Sequence, residues 1–437
     1  MNNNNPFGEP TPSKKLDRRI ILAAGVILLA SLGSVYAWNF FTKPLIEAYH
    51  WSTMQVSAVF SLAVAGLGFA ALYTGPKVSK LGGRRLMKRA TKFFVAGYLI
   101  AALGLYLGSG VIGSIETPWV SWLSFLILAL GYGVIGGIGL GTGYVTAVTT
   151  VAGWFPDKKG LATGIIVMGF GLGALFMSKV FAPVAMDLTS NNIPLTFLII
   201  AGVYVVIMTL SCQFIYSPHA ANSVNMKQTI GETYQHKTSV RVKLWAICFL
   251  YSVAGLGTLS LLSPMMQNIL RASNSSLSTA ELAAGGATLI AAASIGNSVG
   301  RLFWAWLSDI VGRIEAFILL LVTSAIVFFI LPHIASPLLF GILISYTIAS
   351  YGGGFGTIPS LISDLFGPKR MSALHGLVLT GWATAGLLAP PVFGYMNDVI
   401  PDKAANYVYY ICGSVLIIST LIIISLKSLH KHCMKHE

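Results

Sequence analysis

Twelve apolar runs, each long enough to cross a lipid bilayer, leave this 437-residue chain one environment in which to fold. A helix rises about 1.5 Å per residue, so crossing a hydrocarbon core about 30 Å thick takes about 20 apolar residues. The runs lie near 20–42, 54–74, 93–113, 119–150, 161–185, 193–216, 243–270, 282–308, 315–334, 337–358, 372–397 and 404–427. Charged residues make up 10% of the chain, against about 25% in an ordinary globular protein. The mean hydropathy is +0.75. A water-exposed surface has no room for that much apolar side chain, so the expected fold is an all-α polytopic membrane protein. Aromatic residues at 11% exclude a disordered chain, and four cysteines in 437 residues exclude a disulfide scaffold.

The formal net charge of +14 suggests nucleic acid until the charges are placed on the topology. With a cytoplasmic N-terminus, 23 of the 28 Lys and Arg fall on the cytoplasmic side, seven of them between Lys77 and Lys92. Only Lys43, Arg271 and Lys403 fall outside. This is the positive-inside pattern, and it accounts for the basic balance by membrane orientation and anionic lipid, with no nucleic-acid partner. The expected location is a plasma (bacterial inner) membrane, with both termini cytoplasmic. Lys14, Lys15, Arg18 and Arg19 precede the first run as a signal peptide's basic region would, but the run is too long for a signal and is read as a retained span.

The polar stretch 217–241 divides the spans six and six. The expected organisation is a cytoplasmic tail (1–18), a six-helix bundle (19–216), a cytoplasmic linker (217–241), a second six-helix bundle (242–428) and a cytoplasmic tail (429–437). The halves echo each other. Gly75-Pro76-Lys77-Val78-Ser79-Lys80-Leu81-Gly82 follows span two, and Ala305-Trp306-Leu307-Ser308-Asp309-Ile310-Val311-Gly312-Arg313 follows span eight, 230 residues later. Glycine clusters recur in span four (Gly131 to Gly143) and span ten (Gly352, Gly353, Gly354, Gly356). Inverted or duplicated repeats of this kind are a mark of secondary transporters.

These two loops resemble the signature of the major facilitator superfamily: a small residue, an Asp, then a Gly followed by basic residues. The first copy departs from it, with Ser79 and Lys80 at the acidic and basic positions; the second keeps Asp309 and Arg313. A more specific match is Trp154-Phe155-Pro156-Asp157-Lys158-Lys159-Gly160-Leu161-Ala162-Thr163-Gly164 after span four. It is similar to the corresponding loop of the oxalate/formate antiporter family and related monocarboxylate transporters. Gly33-Ser34-Val35-Tyr36-Ala37-Trp38, Asn297-Ser298-Val299-Gly300-Arg301 and Ser363-Asp364-Leu365-Phe366-Gly367 support it, so the resemblance covers the chain between its tails.

Arg301 is the sharpest residue in the sequence. It lies eight residues before Asp309, about 12 Å along the helix and near the middle of the membrane. Arginine does not shed its proton there, so its charge needs a partner, backbone carbonyls or a watery cavity. All 14 acidic residues lie in loops, tails or span ends, which favours an anionic substrate over a structural ion pair. The resemblance implies the same, since the arginine at this place binds carboxylate in related transporters. Asn297, one turn earlier on the same face, offers an amide to that anion or an interhelical hydrogen bond. Many animal monocarboxylate transporters carry an Asp in this turn, implicated in proton coupling.

The resemblance further implies that Tyr36, Tyr144, Tyr351 and Phe355 line the central cavity. In family members that handle oxalate, a lysine occupies the position of Trp382, so one fixed cation is expected here instead of two. Lys179, near the outer end of span five, reads as a snorkelling or gate-edge residue, and His375, at the inner end of span eleven, as an interfacial polar residue. Asp157, Lys158 and Lys159, Asp309 and Arg313, and Asp364 and Arg370 are expected to form cytoplasmic latches.

Several motifs are decoys. Gly131-Tyr132-Gly133-Val134-Ile135-Gly136 matches a dinucleotide fingerprint but lies inside a span with no preceding strand; close helix packing explains it better. The tail His430-Lys431-His432-Cys433-Met434-Lys435-His436 reads as a juxtamembrane basic segment more readily than as a metal site. No cofactor, metal or enzymatic constellation is expected. The sequence points to a secondary transporter, antiporter or symporter, of small organic anions. Monocarboxylates such as pyruvate, lactate or formate are the expected class, carried by alternating access and with the monomer as the functional unit. A same-fold exporter of larger apolar or siderophore-like compounds is the first alternative, and a non-transporting membrane sensor or channel the second.

Overall fold

A computed structural model describes residues 17–217 and 234–434, and the described residues form helices and connecting turns without strands. Among them twelve helices are long and apolar enough to cross a membrane. They are α1 (Arg18–Tyr49), α2 (Met54–Leu81), α3 (Gly83–Val111), α4 (Pro118–Ala152), α5 (Lys159–Leu188), α6 (Ile193–Cys212), α7 (Thr238–Ser273), α8 (Thr279–Val311), α9 (Arg313–His333), α10 (Pro337–Phe366), α11 (Pro368–Val399) and α12 (Lys403–Lys427). The chain is a multi-pass integral membrane protein. Lys14 and Lys15, most of the linker, and the side chains of the His430–His436 tail lie outside the described residues.

The sequence echo between the halves is repeated in the backbone. α2 opens on a capping box: Gln55 N donates to Ser52 Oγ at 3.2 Å, and Ser52 N donates to Gln55 Oε1 at 2.9 Å. α8 opens the same way through Ser278 and Glu281, at 3.3 and 2.8 Å. Each box satisfies helix-start N–H groups that have no intrahelical acceptor. Both helices also end alike, on Gly82 (φ 78°) and Gly312 (φ 100°), where only a residue without Cβ turns the chain at no steric cost. These two glycines are the 230-residue repeat in conformational form.

The described chain forms two compact units. The first holds residues 17–157, 169–217 and 366–380; the second holds 158–168, 234–365 and 381–434. This differs from a simple cut at the linker in two places, and close packing explains both. The start of α5 lies in the second unit because a Cβ on Gly164 would come within 2.9 Å of the Arg301 carbonyl. The start of α11 lies in the first because Gly376 abuts the Ala71 carbonyl and Gly75 abuts that of Ser372, leaving no space for side chains.

α8 shows how composition sets orientation. Ile295, Val299, Phe303, Trp306 and Ile310 recur every three or four residues and are exposed, the stripe an apolar solvent covers. Ser298, Arg301, Trp304, Ala305 and Ser308 form the buried stripe. Arg301 is thereby aimed inward.

Candidate functional site

Two of the described Asp, Glu, Lys, Arg and His side chains are buried: Arg301, 2% exposed, and His375, 1% exposed. They belong to different units and are described in turn.

In the second unit Arg301 Nη1 donates to the carbonyl of Val167 on α5 at 2.9 Å, and its guanidinium carbon stands 5.7 Å from the centre of the Phe355 ring. An arginine at this depth costs about 2.5–3.5 kcal/mol on insertion scales. A hydrogen bond from a charged donor returns about 1.5–3 kcal/mol and a cation–π contact about 0.5–1 kcal/mol, so these contacts roughly balance the cost. The Val167 carbonyl and the Phe355 ring hold the guanidinium in place, and no Asp or Glu is buried among the described residues. Asn297 lies one turn away on α8, half-buried, with its Oδ1 against Gly352 and no hydrogen-bond partner among the described residues.

Aromatic side chains surround this turn of α8 and α10. Tyr351 and Phe355 meet edge to face at 5.4 Å, Phe355 meets Trp382 at 5.9 Å, and Trp382 Nε1 donates to the Tyr351 hydroxyl at 2.9 Å. Tyr251 on α7 completes the group, 5.8 Å from Tyr351 and 5.6 Å from Phe355. A cavity of about 10 Å³ behind Tyr351, lined by Tyr251, Ser324 and Ser350, holds one water-sized sphere and is too small for an organic anion.

The same unit carries a polar cluster at the start of α5. Asp309 accepts from the backbone N–H groups of Gly160 at 3.1 Å and Leu161 at 2.7 Å, placing a carboxylate on a helix N-terminus, where the backbone dipoles favour negative charge. Arg313 pairs closely with Asp309 and reaches Asp364 at 3.2 Å, and Lys159 reaches Asp364 at 3.4 Å. Beneath them Thr163 Oγ1 lies 2.9 Å from the Gly356 carbonyl and 3.0 Å from Ser360 Oγ. Lys158 is exposed. Asp157 and Arg370 belong to the first unit, where Asp157 pairs with Arg18 at 2.8 Å.

In the first unit Tyr36, Phe170 and Tyr144 run edge to face, at 5.4 and 5.1 Å, and Tyr144 continues to His375 at 5.8 Å. The His375 side chain is buried. Lys179 is exposed.

Sequence reasoning missed Phe170, Tyr251 and Val167. Phe170 has a local signal, for it lies between Gly169 and Gly171, and its backbone fills the space a side chain on Gly33 would need. Val167 acts through its carbonyl, which side-chain chemistry does not reveal.

A sequence profile of the Major Facilitator Superfamily matches residues 25–291 and again 244–433. The chain belongs to that superfamily. It is a transporter and not an enzyme. Among characterised sequences it is 23% identical over 390 residues to the oxalate:formate antiporter of Oxalobacter formigenes, covering 88% of this chain and 86% of that one. It is also 24% identical over 387 residues to an uncharacterized MFS-type transporter, YhjX of Escherichia coli, covering 86% and 88%. The solved structure of the proton:xylose symporter XylE superposes with a TM-score of 0.72 over 93% of this chain and 95% of that chain, at 14% identity, a likeness of fold alone.

Proposed function

We propose that this transporter carries small monocarboxylates such as pyruvate, lactate or formate by alternating access, with Arg301 pairing the substrate carboxylate. The observation that carries this reading is the guanidinium of Arg301, a cation buried on the inward stripe of a helix long and apolar enough to cross the membrane. Its planar N–H fork suits a carboxylate, and the Val167 carbonyl is the neutral acceptor that holds it in place. The similarity to an oxalate:formate antiporter supports the substrate class.

The remaining roles follow from this reading. Asn297 donates an amide hydrogen bond to the same anion, and Tyr351, Phe355 and Trp382 provide a wall that sheds water from the substrate. Tyr36 and Tyr144 are the substrate contacts of the first unit. One fixed cation neutralises a monoanion and leaves a dianion with an uncancelled charge in a low-dielectric setting, so monocarboxylates are preferred. Asp309, Arg313, Asp364 and Lys159 form a latch that releases residues 158–168 during the cycle, and Asp157, Lys158 and Arg370 are further candidate latch residues. Both termini face the cytoplasm of a bacterial inner membrane whose anionic lipids meet the basic loops, and the monomer is the working unit.

The test is counterflow in proteoliposomes. Vesicles preloaded with unlabelled lactate should accelerate uptake of labelled lactate, and external formate, acetate or pyruvate should compete better than oxalate or malonate. Best competition by oxalate or malonate would overturn the one-cation argument. Absence of counterflow with every carboxylate would overturn the substrate class.

A further inference from the structure

The start of α3 carries a surface that the reading above does not use. Arg85, Lys88, Arg89 and Lys92 are exposed, and steps of three, four and seven residues put them on one face of the helix. Followed deeper, the same face runs through Leu99, Leu103 and Tyr106, all exposed. An exposed apolar stripe on a spanning helix meets lipid tails, so the bases that continue it are turned toward lipid as well. Arg84, on another face, shows the contrast: its guanidinium donates to the Tyr216 hydroxyl at 3.1 Å and pairs closely with Gln213.

Helix length sets the depth of these bases. α3 has 29 residues, about 43 Å of helix against a hydrocarbon core of about 30 Å. The uncharged stretch from Phe93 to Val111 fills the core, which leaves the preceding residues at the depth of the phosphate headgroups. α2, α4 and α6 pack against α3, and none of the four helices contains an Asp or Glu. Lys88 and Lys92 are like charges one turn apart and Arg89 stands between them, so the stripe repels itself unless an anion lies on it. Orienting a chain in the membrane requires bases near the surface but not their alignment on a lipid-facing stripe. Binding a multivalent anion does require it.

We propose that this face of α3 binds a phospholipid that carries two phosphates in one molecule, the cardiolipin class. The phosphates lie against Lys88, Arg89 and Lys92, and acyl chains run along Leu99 and Leu103. Lys88 and Lys92 are separated by about 6 Å along the helix axis, so each takes one phosphate of the pair. Once the first phosphate is bound the second is tethered beside its site, an advantage that a lipid with one phosphate lacks. Arg89 adds a planar donor fork suited to phosphate oxygens. The site narrows a general attraction of basic loops for anionic lipid to one surface and one lipid class, and it does not depend on which substrate is carried.

The experiment uses the full chain in detergent, stripped of lipid and titrated with tetraoleoyl cardiolipin or dioleoyl phosphatidylglycerol, with bound lipid counted by native mass spectrometry. At equal phosphate concentration the unmodified protein should bind one cardiolipin at least about tenfold more tightly than phosphatidylglycerol. Each base beside an anionic lipid surface changes affinity about fivefold, so Lys88→Gln/Arg89→Gln/Lys92→Gln should weaken cardiolipin binding by about 100-fold. Lys43→Gln/Arg271→Gln/Lys403→Gln removes the same formal charge from exposed positions on α1, α7 and α12 and should change that binding by less than about threefold. No loss in the first triple variant, or an equal loss in both, overturns the proposal. So does the absence of a cardiolipin preference in the unmodified protein, a result that needs no variant. Displacement of cardiolipin by inorganic pyrophosphate at equal phosphate concentration would make the ligand a free anion and overturn the lipid assignment. None of these readings uses counterflow, so they are separate from the test of the carboxylate assignment.

Discussion

Replacing Asp309 with Asn should loosen the start of α5 without disturbing the rest of the second unit. Asp309 accepts from the Gly160 and Leu161 N–H groups at 3.1 and 2.7 Å and pairs with Arg313. An asparagine carbonyl keeps a neutral hydrogen bond but loses the charge. Charge-assisted bonds exceed neutral ones by about 0.5–1.5 kcal/mol, and a carboxylate at a helix N-terminus contributes about 0.3–1 kcal/mol more. With two backbone donors the loss is about 1.3–4 kcal/mol, which corresponds to about a 10- to 1,000-fold rise in local opening. Backbone hydrogen exchange reads this directly: the Gly160 and Leu161 amides should exchange faster by that factor. The capping box at Ser278 and Glu281 should be unaffected. A change of less than about twofold at Gly160 and Leu161 would show that Asp309 does not hold the α5 start, and the latch assignment would fall.

Three further outcomes follow from the packing around Arg301. Gly164→Val places methyl groups where a Cβ already stands 2.8 Å from that of Ala305, so overpacking of about 1–3 kcal/mol should lower the thermal midpoint by several degrees; an unchanged midpoint contradicts the close seating of α5 on α8. Tyr351→Phe removes the acceptor for the buried Trp382 Nε1–H, costing about 1–3 kcal/mol, and should cost much less when Trp382 is already Phe; equal losses in both backgrounds would show that the bond contributes nothing. Trp382→Lys supplies a second cation and should improve oxalate over lactate in counterflow competition by about tenfold, with some loss of stability because the indole is buried; an unaltered preference refutes the fixed-charge count.

What was legible in the sequence and what was not divide along physical lines. The twelve spans show because membrane thickness imposes a length on each apolar run. Arg301 shows because a charge in such a run has nowhere to hide. The repeat shows at Gly82 and Gly312 because a left-handed backbone turn restricts residue type. Contacts that join distant segments do not show. The carbonyl of Val167 is a backbone group present at every residue, and Phe170 and Tyr251 are chosen from 23 phenylalanines and 17 tyrosines by packing alone. His375 reads as a helix-end residue because it lies only seven residues after Pro368; its neighbour in space, Tyr144, is 231 residues away in the chain and leaves no local signal.

The central claim is that Arg301 binds the carboxylate of the substrate, and lactate counterflow by Arg301 variants in proteoliposomes tests it most directly. Arg301→Ala should abolish counterflow while the protein still inserts in the membrane and purifies as a folded species. Arg301→Lys, which keeps the charge but loses the two-pronged donor geometry, should recover little of it. Counterflow close to that of the unmodified protein in the folded alanine variant would contradict the account.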